Sequence, residues 1–148
     1  MAQRQRSSEP YFRKIDFVFY NERRIREAVT EMREDDGRPR VPQSTEFANP
    51  TEMLALRAMT PLKKVILNSE QTLEYPEKWL TVIDKTWTWA KVQEDCRYEV
   101  ARRRYAKEDY RKTCRELQIG NTTRRRLLDL VRMYAALQAV QLGLIVVL

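Results

Sequence analysis

An all-α fold, a multi-helix support followed by a C-terminal helix-turn-helix module, is what this sequence predicts. Three observations carry the expectation. Glycine is scarce, with three in 148 residues. The polar residues are mainly Arg, Lys, Glu and Gln, all good helix formers. Apolar residues recur at three- and four-residue steps along most of the chain. They make up 43% of it, enough for a real core in one ordinary domain or two small helical ones.

The first ten residues, MAQRQRSSEP, are polar and are expected to be flexible. No apolar run follows them, so they do not read as a signal peptide. A helix is predicted over Tyr11 to Asp35, where Ile15, Val18, Phe19, Ile25, Val29 and Met32 are spaced for one face. The aromatic residues of its first turns read as packing groups. A loop follows, about 36–49, rich in proline and small polar residues. Asn49-Pro50-Thr51-Glu52 then reads as a helix start, because Asn can cap and Pro suits the first turn. That helix would carry Met53, Leu54, Leu56, Ala58 and Met59 and be kinked or ended by Pro61. Leu62, Val65 and Ile66 restart the apolar pattern toward Leu73.

Pro76 opens a further helix that holds all three tryptophans, Trp79, Trp87 and Trp89. Exposed tryptophans stack on single-stranded bases. Trp79, Ile83, Trp87 and Ala90, however, follow the spacing of a buried stripe, which favours core or inter-helix packing. The pattern continues through Val92, Cys96 and Val100 into the basic region. Cys96 and Cys114 both fall on apolar stripes and read as small packing groups, not as a disulfide or metal ligands. Residues 11–96 are therefore read as a helical support and interaction region, and residues 97–148 as a separate module.

Charge separates the two. Residues 1–40 carry ten positive and eight negative side chains, residues 41–96 six and eight, and residues 97–148 twelve and five. The net +7 of the chain thus equals the excess of its last third. A localised positive excess permits nucleic-acid binding. Within this third, Glu108 to Leu117 reads as a short helix with Tyr110, Cys114 and Leu117 on its apolar side. Gln118-Ile119-Gly120 reads as a tight turn, with Ile119 plugging the angle between helices. Gly120 or Asn121 can cap the next helix. A short helix, a turn of three or four residues and a second helix make a helix-turn-helix, whose second helix enters the major groove by its N-terminal end.

Projection of that second helix places Leu127, Val131 and Tyr134 on one face with Leu128 beside them. Thr122, Arg125, Asp129 and Arg132 lie opposite, with Arg126 at the edge and Arg124 leaning toward the core. Arg125 is the preferred base reader, with Thr122 and Arg126 next, because the arginine fork matches guanine O6 and N7. Arg102, Arg103, Arg104, Lys107, Arg111, Lys112, Arg115, Asn121, Arg124 and Arg132 are the candidates for the DNA backbone. The module core is expected to hold Tyr110, Cys114, Leu117, Ile119, Leu127, Leu128 and Val131.

The stretch Tyr105 to Leu144 resembles phage-encoded regulators of late transcription of the RinA and ArpU kind, whose C-terminal part looks like sigma factor region 4. Glu116-Leu117-Gln118-Ile119 fits the end of the first helix of that pattern. Thr123 and Arg126 fit the start of the second, and Ala135, Ala136, Leu142 and Gly143 fit its continuation. Asn49-Pro50-Thr51 is similar to the Asp-Pro-Thr that opens a helix in such proteins. Gly120 stands where a serine cap is usual, and Arg124 and Arg125 where tyrosines are common, so the reading surface differs. The resemblance implies a phage or prophage protein that acts on double-stranded DNA near late or packaging genes, activating transcription with host RNA polymerase as a partner.

Other classes stay open or are disfavoured. A small terminase subunit, also helical and DNA-binding, would form a ring on packaging DNA. A protein-interaction module would carry the basic triplets as solvated faces. Catalysis is not expected: with no histidine there is no Ser-His-Asp triad, and the scattered glycines form no phosphate-binding loop. No cofactor or metal is expected. The apolar end, LGLIVVL, is too short to span a bilayer and needs a partner surface, either the module's own core or a second chain in a homodimer. A location in the cytoplasm of a bacterial host cell fits these features.

Overall fold

A computed structural model of the chain describes residues 9–36 and 60–146. These described residues form six helices and one hairpin: α1 (Glu9–Tyr20), α2 (Glu22–Asp36), β1 (Lys64–Ile66), β2 (Thr72–Glu74), α3 (Pro76–Lys91), α4 (Arg97–Tyr105), α5 (Tyr110–Leu117) and α6 (Asn121–Gln141). The mostly helical class read from composition is the observed one. The helix expected from Asn49, and most of the loop before it, lie outside the described residues.

The helix read over Tyr11 to Asp35 is two helices. At Asn21 the side-chain Nδ2 donates to the Phe17 carbonyl at 2.8 Å, and the backbone N–H is shared between Phe17 and Val18. A side chain that competes for helix carbonyls interrupts the regular ladder. The restart toward Leu73 is not helical either. Lys64-Val65-Ile66 and Thr72-Leu73-Glu74 pair antiparallel, each with only its middle residue buried. That period of two belongs to a strand. Asn68 Oδ1 accepts from the N–H groups of Glu70 and Gln71, both at 2.9 Å, and so builds the connecting turn.

The Trp-rich helix does not run on to Val100. It stops at Lys91, and Val92 is 75% exposed. Asp95 restarts the chain: its carboxylate accepts from the Arg97 N–H and grips the Arg97 guanidinium at 2.6 and 2.7 Å. Cys96 is consequently the residue before α4 and not part of a continuous stripe; it and Cys114 are both free thiols, half-buried.

Two compact units result, Met1–Glu22 with Lys78–Leu148, and Arg23–Glu77. The division expected at residue 96 is therefore not the observed one, because α1 and most of α3 share a unit with α4–α6. In the Arg23–Glu77 unit, Ile25 and Ala28 of α2 are buried, as are Leu62, Val65, Leu67 and Leu73 of the hairpin region. Arg24 Nε donates to the Leu67 carbonyl at 2.9 Å, and Arg33 reaches the Thr60 carbonyl and Glu77.

The other unit is built around α6, against which α1, α4 and α5 pack. Its core takes Ile15, Val18 and Phe19 from α1, Trp79, Val82, Ile83 and Trp87 from α3, Val100 and Ala101 from α4, and Leu127, Leu128, Val131, Ala135 and Ala139 from α6. Phe19, Trp87 and Tyr105 meet edge-on or tilted, with centroids 5.2 to 6.3 Å apart. Trp89 stacks flat on Tyr134 at 4.2 Å. The tryptophans are thus packing groups, the reading that their spacing favoured.

α6 ends on Gly143 at φ 74°, with the Leu144 N–H returned to the Ala139 carbonyl at 2.9 Å. A side chain at that left-handed position is strained. Gly120 is different: its φ is −77° and a Cβ there would meet nothing within 4 Å. Gly143→Ala is expected to lower stability by about 1 kcal/mol, whereas Gly120→Ser, which adds a capping hydroxyl, raises it by a few tenths. Urea denaturation of the two variants measures both.

Candidate nucleic-acid interface

Helices α4, α5 and α6 follow one another in the chain and each packs on the other two. The α4–α5 connection turns on Lys107, at φ 61°, with the Glu108 N–H bonded to the Arg103 carbonyl at 3.0 Å. α5 starts at Tyr110, not Glu108, because Asp109 is the cap and accepts from the Arg111 N–H at 3.1 Å. The next turn depends on Gln118, not on Gly120. Gln118 is the left-handed residue, at φ 55°, and the Ile119 N–H closes on the Cys114 carbonyl at 3.0 Å. Gly120 is extended and precedes the first turn of α6.

The predicted core is partly observed. Leu127, Leu128 and Val131 are buried, and Cys114, Leu117 and Ile119 are half-buried. Tyr110 is 43% exposed; Thr113 is the buried residue of α5. Tyr110 instead forms a platform. Arg124 lies over its ring at 5.2 Å and Arg111 at 5.7 Å. Arg124 is itself buried, 8% exposed, with Nε donating to Asn121 Oδ1 at 3.0 Å. Its lean toward the core is as the projection placed it, and its head is held by Tyr110 and Asn121.

Thr122, Arg125 and Arg126 are all exposed on the first two turns of α6. Arg125 forms no ion pair, hydrogen bond or ring contact with a described side chain. Arg126 lies within electrostatic reach of Asp95. That carboxyl is held below its usual range first by the Arg97 hydrogen bond and last by Arg126. The N-terminal end of α6 also carries the positive end of the helix dipole, so cationic side chains there are unfavourable unless an anion is near.

The backbone candidates divide sharply. Arg104, Lys107, Arg111, Lys112 and Arg115 are exposed. Arg111 reaches its neighbour Tyr110, and Lys112 reaches Glu116 at 4.0 Å, a loose solvated pair. Three other candidates are committed elsewhere. Arg102 lies over the Trp87 ring at 4.2 Å and reaches Glu22 at 3.7 Å. Arg103 bridges Glu108, at 3.0 Å, and Glu116, fastening the end of α4 to the connection before α5 and to the last turn of α5. Its hydrogen bond holds the Glu116 carboxyl below the usual range.

Arg132 is the clearest correction. The projection set it outward, but α1 covers that side of α6. Its Nε and Nη2 donate to Asp16 at 3.0 and 2.8 Å, and Nη1 reaches Asp129 at 3.1 Å. Burial is the largest influence and disfavours its charge, yet the Asp16 hydrogen bonds, the Asp16 charge and Tyr105 together outweigh it and push its pKa up. Tyr105 donates to the same carboxylate at 2.7 Å, and burial followed by the Asp16 charge drives its hydroxyl far above the usual phenol range. Asp16 and Tyr105 were missed from sequence. The only signal at Asp16 is an acid lodged beside the buried Ile15 and Val18.

No protein-family model matches the chain, and neither the curated proteins nor the solved structures contain a match.

The side chains of Arg132 and Asp16 are 15% and 22% exposed, so removing one strands a largely buried charge. Arg132→Ala is expected to lose about 2 to 4 kcal/mol of stability, while Arg125→Ala stays within about 0.5 kcal/mol of the parent. Equilibrium urea unfolding of the two variants separates the structural arginine from the surface one.

Proposed function

We propose that the chain is a non-catalytic, sequence-specific double-stranded DNA-binding regulator of transcription. The observation that carries the reading is the state of its arginines. Arg102, Arg103 and Arg132 are answered by Glu22, Glu108, Glu116 and Asp16, whereas Arg125 projects from the first turns of the helix that follows the turn with no partner among the described residues. An unpaired cation at the positive end of a helix dipole is favoured by an external anion. On duplex DNA, Thr122, Arg125 and Arg126 would face base edges, with Arg125 forked onto a guanine. Arg104, Lys107, Arg111, Lys112 and Arg115 would hold phosphates and supply the salt-sensitive part of the affinity. Action on late or packaging genes of a phage or prophage, activation, and contact with host RNA polymerase rest on the resemblance of Tyr105 to Leu144 alone.

Selection of bound fragments from a random duplex pool, read by sequencing, tests the assignment. The parent is expected to enrich a defined site, and Arg125→Ala to lose preference at one base pair, by about 1 to 3 kcal/mol, with modest loss of nonspecific binding. With five phosphate contacts the logarithm of affinity is expected to fall against the logarithm of salt with a slope of about −4.5. Unchanged preference in Arg125→Ala removes it as the base reader. Binding that is absent at low salt removes the DNA reading altogether.

A further inference from the structure

Tyr110 is the aromatic residue of α5, and it stands at the surface although its spacing to Cys114 and Leu117 suits the buried side. Cations hold its ring: Arg124 of α6 lies over it at 5.2 Å and Arg111 at 5.7 Å. Arg124 is 8% exposed, and its Nε donates to Asn121 Oδ1 at 3.0 Å. A guanidinium only donates, so this bond fixes the Asn121 amide with its oxygen toward Arg124. The chain Tyr110–Arg124–Asn121 thus ties the first residue of α5 to the first residue of α6. Tyr110 Oη accepts from Arg111 Nε at 3.4 Å. Its own O–H is left to donate, and it meets no acceptor among the described residues. The neighbouring acid, Asp109, is engaged as the cap of α5 through the Arg111 N–H.

We propose that Tyr110 is a further contact to the DNA backbone, its hydroxyl donating to a phosphate oxygen beside Arg111, and that Arg124 is the residue that positions it. The assignment rests on the DNA reading above and adds a neutral donor to it. The ring is already engaged by two arginines, so Tyr110 presents its hydroxyl to a partner and not a stacking face. That hydroxyl and the Arg111 guanidinium both have hydrogens to donate. A phosphate oxygen only accepts, and it suits a pair of donors better than a base edge, which carries donors as well. Arg124 was a candidate for the backbone by its charge. Buried against the ring and bonded to Asn121, it acts through Tyr110 instead.

Affinity of the full chain for a mixed-sequence duplex, measured by fluorescence anisotropy across a salt series, tests both roles. Tyr110→Phe keeps the ring and removes the hydroxyl. It is expected to weaken binding about tenfold at every salt concentration, with the urea midpoint of the parent. Its slope against salt stays that of the parent, because a neutral hydroxyl releases no counterion. Arg111→Ala, by contrast, is expected to make the slope shallower by about 0.9. Arg124→Gln is expected to weaken binding in the parent, with the slope kept, and to add little to Tyr110→Phe. Arg124→Lys takes its place in that cycle if the first variant unfolds. Tyr110→Phe that binds within about twofold of the parent overturns the contact. Additive losses, or a slope made shallower by about 0.9 in Arg124→Gln, overturn the positioning role. A parent that binds no duplex at low salt overturns the DNA reading, and this assignment with it. A parent that binds while Tyr110→Phe matches it overturns this assignment alone.

Discussion

The carboxylate of Asp16 is the point on which the larger unit turns. It accepts from the Tyr105 hydroxyl at 2.7 Å and from Arg132 at 2.8 and 3.0 Å, and so joins α1, α4 and α6 at one group. Each partner has a cost when buried alone: an acid and a guanidinium lose hydration, and a phenol loses a donor site. Together they satisfy one another, and among the described residues no buried side-chain nitrogen or oxygen is left without a partner. The Phe19, Trp87 and Tyr105 rings close over the neighbouring apolar side. The long helix is thereby fixed along one side, and its first turns are left to face outward.

This arrangement divides the basic residues by their partners. Arg132, Arg103, Arg102 and Arg124 hold helices together or lie against rings, and their charges are answered inside the protein. Arg104, Arg115, Arg125 and Arg126 stand at the surface. A count of positive charge along the sequence treats all of them alike. Asp16 of α1, Glu22 at the start of α2, Glu108 before α5 and Glu116 of α5 answer Arg132, Arg102 and Arg103, so fewer cations are left to an outside partner than the twelve positive side chains of residues 97–148.

Much of the module was legible in the sequence because its signals are local. The apolar steps at Leu127, Leu128 and Val131, the turn at Gln118 to Gly120, and the inward lean of Arg124 follow from helical geometry alone. Three features were not legible, for separate reasons. The fate of Arg132 depends on α1, more than a hundred residues earlier, and no periodicity encodes that contact. The Lys64–Ile66 and Thr72–Glu74 strands are three residues each, too short for their alternation to stand out from a broken helical pattern. Tyr110 sits at helical spacing from Cys114 and Leu117, but two arginines draw its ring to the surface instead of the core. The turn itself was located while its strained residue was not: Gln118 holds the left-handed conformation that glycine would be expected to take.

On the proposed function, the outward first turns of α6, held by the Asp16 junction, are the part that meets duplex DNA. Titration of isotope-labelled protein with a duplex, followed by backbone amide chemical shifts, tests it most directly. The largest shifts are expected at Thr122, Arg125 and Arg126, with smaller ones along Arg111 to Arg115 and little change at Asp16, Tyr105 and Arg132. Shifts centred on the Arg23–Glu77 unit, or none at low salt, would contradict it.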